Sequence, residues 1–149
     1  MVQDPAKPAG APVSVGVLYQ AAHYGVEHRA AGEARQMADV FVKELVDLLV
    51  VPVSEPFAYD VALVVTELLT NANRYAPGPC LLELEGRRSG VRLPLWDSST
   101  ALPRLFPRDP TRIGGHGMEI INRICAEVRV ERVPVGKRIR ATLCLPAGL

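Results

Sequence analysis

Glu67, Asn71 and Arg74 stand at i, i+4 and i+7 in the stretch VALVVTELLTNANRY, Val61–Tyr75. On a helix that spacing lines them up along one flank. Val61, Val64, Val65, Leu68 and Ala72 recur beside them at helical intervals and form a stripe to be buried. A solvated face is the commonest fate of such polar residues. Asn71 resists that reading, because asparagine is a mediocre helix former that competes for backbone hydrogen bonds. A carboxylate can polarise a hydroxyl, and an amide oxygen can ligate a hard cation such as Mg²⁺. Asp97 closes an alternating apolar run. There it can accept from an amino group on a bound base, or serve as a turn residue capping nearby N–H groups. Gly114, Gly115 and Gly117 precede a short helical pattern. Glycines before a helix N-terminus let backbone N–H groups approach phosphate, although Gly-rich turns open many helices.

The elements that must position these groups follow from periodicity. Residues 1–14 are rich in Pro and Ala without a period and read as a mobile tail, leaving residues 15–149 as one domain. A first strand begins around Val15–Leu18. Glu33–Val50 is an amphipathic helix with Ala34, Met37, Phe41, Leu45 and Leu48 or Leu49 on one face. His23 and His28 precede it without a ligand pattern and read as surface histidines. Ser54 is placed to cap a second helix beginning near Phe57 and running to Tyr75, stopped by Pro77, Gly78 and Pro79. Cys80–Glu85 alternates, Gly86–Gly90 is a polar turn, and Val91, Leu93 and Leu95 make the next inward face, so the two runs form a hairpin. Pro94 cannot donate to a ladder, which implies an edge strand or a bulge. Residues 101–113 carry three prolines and no period, as expected of a lid. Met118, Ile121, Ile124 and Cys125 face inward on the short helix. Val128–Val133 and Arg138–Leu145 form a second hairpin with Ile139, Ala141, Leu143 and Leu145 inside. Helix, helix, hairpin, lid, helix, hairpin is the order of an α+β two-layer sandwich, a mostly antiparallel sheet with helices on one face.

Composition narrows the function classes. The apolar fraction is 48% and the charged fraction 22% over 149 residues, ordinary for one globular domain. A formal net charge of +1 supplies no field for nucleic acid or an anionic membrane. No run is long enough to span a bilayer and no secretory signal pattern opens the chain. Cys80, Cys125 and Cys144 lack metal or CxxC spacing and read as reduced intracellular thiols used as small hydrophobes.

Taken together, TELLTNANRYA, LWDSS and GGHGMEII resemble the motifs of the GHKL (Bergerat) ATPase superfamily. The likeness is greatest to the stand-alone anti-sigma-factor serine kinases and their actinobacterial ATP-binding relatives, and it covers roughly Gly32 to Pro146. The resemblance implies a Bergerat-type ATP-binding fold. It makes Glu67 the general base, Asn71 the Mg²⁺ ligand and Arg74 a neighbour of the phosphates. Asp97 would be the adenine-binding acid, with Ser99 at the adenine end, so Asp97→Asn should weaken ATP binding and spare the fold. Gly115, His116, Gly117 and Met118 would lie at the phosphate end, Lys137 in the closing turn after Gly136, and Thr142 on the last strand as an adenine-side contact. The chain departs from the usual motifs at Tyr75, Ser99 and His116, where the family commonly has His, Gly and Arg.

The function implied is a cytoplasmic regulator that binds Mg-ATP and phosphorylates a Ser or Thr on an anti-anti-sigma (STAS) partner, or sequesters a sigma factor. It makes no direct contact with nucleic acid or membrane, and a homodimer is compatible with it. The alternative from a different class is a non-catalytic binding module of the same fold, which nucleotide-dependent melting would distinguish. A detached histidine-kinase catalytic domain lacks support, since no dimerising helix with a phosphorylatable His is visible. A gyrase-like or chaperone-like ATPase would need further domains.

Overall fold

The computed structural model of the chain describes residues 18–25, 30–50, 52–75, 78–98, 117–134 and 136–145. The element order is β1 (Leu18–Tyr24), α1 (Ala30–Leu49), α2 (Glu55–Tyr75), β2 (Cys80–Arg87), β3 (Gly90–Asp97), α3 (Gly117–Ile124), β4 (Glu127–Val133) and β5 (Gly136–Cys144). The strands form one antiparallel sheet in the order β1-β2-β3-β5-β4. The expected tail and lid, residues 1–14 and 101–113, lie outside the described residues, as do Val15, His28, Ser99, Gly115 and His116.

Alternation decides which face of the sheet meets the helices. Leu82 and Leu84 of β2, Leu93 and Leu95 of β3, and Ile139, Ala141 and Leu143 of β5 are all buried. They pack with Phe41 and Leu45 of α1 and Val61, Val64, Val65, Leu68 and Leu69 of α2 in one core. Burying a side chain of that size contributes roughly 1.5–3 kcal/mol. The face of α1 closes on Leu49, while Leu48 is exposed. Ser54 caps α2 as its sequence position suggests: the Phe57 N–H donates to Ser54 Oγ at 3.3 Å, and the Ala58 N–H to the Ser54 carbonyl at 3.1 Å. Cys80 is buried and Cys125 half-buried, but Cys144 is exposed and does not act as a buried hydrophobe.

Gly86 was expected in a turn, yet β2 continues through it and the turn shrinks to Arg88 and Ser89. Its side of the strand faces α1, and a Cβ there would sit 2.7 Å from Leu45 Cδ1 and 3.0 Å from Phe41 Cζ. The missing side chain is what lets α1 lie close on the sheet. Gly86→Val should therefore lower stability by about 1–3 kcal/mol through overpacking. Chemical denaturation checks this, and an unchanged midpoint would show that α1 can lift without loss.

Pro94 corrects an expectation. It is neither on an edge strand nor in a bulge, because β3 is the central strand and its register is unbroken on both sides. Pairing with β5 is continuous, including Pro94 opposite Arg140. On the β2 side the ladder lapses between Leu82↔Leu95 and Glu85↔Arg92. Proline brings no N–H, and the sheet accepts the local loss there without slipping.

The open face compensates with side chains. The Tyr19 hydroxyl donates to Glu83 Oε2 at 2.6 Å, and the Trp96 indole N–H donates to the other Glu83 oxygen. The Arg138 guanidinium lies 4.9 Å from the Trp96 ring centroid and pairs with Glu131. This chain of contacts touches all five strands. The bond to Glu83, helped by burial, pushes the Tyr19 hydroxyl up to about 12.

Candidate functional site

The polar flank of α2 is half-buried at Glu67 and Asn71 and exposed at Arg74, while the stripe beside it is buried throughout. Glu67 therefore lies at the boundary of the core. Burial holds its carboxyl above the usual carboxylate range. A base poised upward in this way is better matched to accepting a proton near neutral pH than an exposed glutamate.

Helix α3 packs on α2 and begins against this carboxylate. A Cβ on Gly117 would lie 2.7 Å from Glu67 Oε2. Glycine at the first position of α3 thus admits the acid to the helix N-terminus, where free N–H groups and the positive end of the dipole favour negative charge. Met118, the next residue, is buried in the core and anchors that terminus; its side chain is committed to packing.

The other half of the site is at one end of the sheet. β2 begins at Cys80 after the short link from the C-terminus of α2, and Cys80 is directly paired with Asp97 at the end of β3. On its other side Asp97 is paired with Lys137 at the start of β5. A Cβ on the preceding Gly136 would overlap the Asp97 carbonyl oxygen, so only glycine lets β5 begin this close to β3. Asp97 and Lys137 form a buried ion pair, with Nζ 2.9 Å from Oδ2 and side chains 3% and 1% exposed for the lysine and aspartate. Their attraction is set by charge more than by hydrogen-bond alignment. Burial pushes the Cys80 thiol up, and the Asp97 charge beside it adds to the effect.

Thr142 is not brought to this end. It pairs with Arg92 and Glu127 and shares the open face with Arg138 and Arg140, opposite to the side on which Asp97 and Lys137 lie. A strand turns successive side chains to opposite faces, which separates Thr142 from Asp97 whatever its distance along the strand. Lys137, expected in the closing turn, is a buried residue at the start of β5.

At the α2–α3 contact the structure brings together a glycine-opened helix N-terminus, a carboxylate beside it and an amide one turn along. Among the described residues no cluster of three His, Cys, Asp or Glu side chains could cage a metal. Asp97, expected from the motif resemblance at the adenine end, is already paired with Lys137.

Among curated proteins none matches this sequence. Among solved structures the chain is similar to one comprising the RsbU and RsbW domains of Rv1364c from Mycobacterium tuberculosis. The TM-score is 0.55 at 16% identity, covering 86% of this chain and 34% of that one, so this chain spans about a third of that polypeptide. The likeness is one of fold. The family model for the histidine kinase-like ATPase domain matches residues 27–143, from before α1 to near the end of β5. The chain belongs to the histidine kinase-like ATPase family, with its ATP-binding fold.

Proposed function

We propose that this protein is a cytoplasmic regulatory kinase that uses Mg-ATP to phosphorylate a Ser or Thr on a STAS-type anti-anti-sigma partner. The observation that carries the reading is the meeting of Glu67 with Gly117 at the α3 N-terminus, one helical turn from Asn71. When bound, Mg-ATP supplies the phosphoryl group and the cation that neutralises it. Asn71 holds the cation, and Arg74 offers positive charge at the last turn of α2. Glu67 orients the partner's hydroxyl and takes its proton. Similarity in fold to a polypeptide carrying an RsbW domain, and the motif resemblance, support the choice of partner class.

Incubation with labelled ATP and STAS proteins encoded beside this chain tests the proposal. Label on a Ser or Thr of one of them is expected; none on any, with the protein folded, would remove the kinase reading. The internal pairing of Asp97 favours one second reading, a binding module of the same fold that acts by contact alone. In that case ATP would leave the melting temperature unmoved.

A further inference from the structure

The Asp97–Lys137 pair has no role in phosphoryl transfer, yet it occupies the carboxylate that would read the base. Both side chains are almost completely enclosed, face each other across β3 and β5, and are held there by the close approach at Gly136. We propose that Lys137 determines base specificity by withdrawing Asp97 from the ligand, so that this protein binds purine nucleotides with little regard to the group at position 6. The inference rests on the nucleotide-binding reading above.

Lys137 and a base would compete for one enclosed carboxylate, whose side chain is only 1% exposed. A lone buried carboxylate demands a donor, and the amino group of adenine satisfies it. Guanine offers a carbonyl at that position and unsubstituted purine offers only C–H, so a lone carboxylate rejects both. Here the demand is met from within. Lys137 brings a full charge to 2.9 Å, a stronger partner than a neutral amino group. Separating the two would strand an ionised group in the interior, which is far costlier than the hydrogen bond gained. Adenine therefore adds little that guanine or purine cannot. Recognition falls to the phosphates and the α3 N-terminus.

The test is calorimetric titration of the folded chain with the triphosphates of adenosine, guanosine and unsubstituted purine riboside, repeated on Lys137→Thr. Threonine is small enough to leave room for a base, and its hydroxyl can donate to Asp97. Wild type should bind all three within about threefold, whereas Lys137→Thr should prefer ATP by about tenfold or more, the scale of one hydrogen bond to a charged group. A tenfold preference for ATP in wild type overturns the inference and leaves nucleotide binding intact. So does a folded Lys137→Thr that remains indifferent. Failure of both proteins to bind any triphosphate overturns the inference together with the reading beneath it. If Lys137→Thr does not fold, the wild-type comparison decides alone.

Discussion

Glu67→Gln is expected to bind Mg-ATP as well as wild type and to transfer phosphate about 10²–10⁴ times more slowly, the usual worth of a positioned base. Glutamine keeps the shape and can still meet the α3 N-terminus beside Gly117, so the cleft is preserved while proton acceptance is lost. The pH dependence carries the same signature. Because burial raises the Glu67 carboxyl, wild-type transfer should fall on acidification at a higher pH than an ordinary glutamate would impose. The variant should lose that step. Stability moves the other way. A carboxyl with a raised folded-state value favours the fold below its unfolded-state titration, and that advantage disappears as pH rises through the folded-state value. Above it, ionised Glu67 bears a burial penalty that glutamine avoids, so Glu67→Gln should melt no lower than wild type at neutral and alkaline pH. Equal transfer rates in the two proteins would exclude Glu67 as the base.

Asp97→Asn should destabilise the protein by roughly 3–5 kcal/mol, the usual consequence of leaving one member of a buried pair without its counter-charge. Sequence alone predicts that this substitution spares the fold. The structure reverses that expectation, because Lys137 is sealed beside Asp97 and cannot reach water. Pairing the change with Lys137→Met should recover most of the loss, since apolar replacement of a whole buried pair is commonly neutral. Urea denaturation of the two variants measures this. A single variant within experimental error of wild type would mean that the lysine escapes to solvent.

The helices and inner faces of the sheet were legible because burial imposes a period. Val61, Val64, Val65, Leu68 and Ala72 on α2, and Leu82, Leu84, Leu93 and Leu95 on the central hairpin, are buried as their spacing requires. The same rule extends to β5. If Ile139, Ala141 and Leu143 point inward, Lys137 must too, and Thr142 must point out. Family likeness placed both by motif position, where parity would have separated them. Pro94 misled for a different reason. Proline's missing donor is a local property, whereas the position of β3 in the sheet is set by Trp96, Leu95 and Arg92 pairing on both sides. The approach of Glu67 to Gly117 depends on how α3 packs on α2, which no local pattern encodes.

Trp96 is the only tryptophan in the chain, and it precedes Asp97 on the same strand. The two side chains lie back to back, one on each face of β3. The indole is fixed by Glu83 and stacked under Arg138, whose neighbour Lys137 is the residue that holds Asp97. Tryptophan fluorescence from this molecule consequently comes from a single indole, one residue before Asp97. A displacement of Lys137 or a shift of β5 would reach the guanidinium and alter the quantum yield without an added dye. The fold thus supplies its own optical readout for titrations at this end of the sheet.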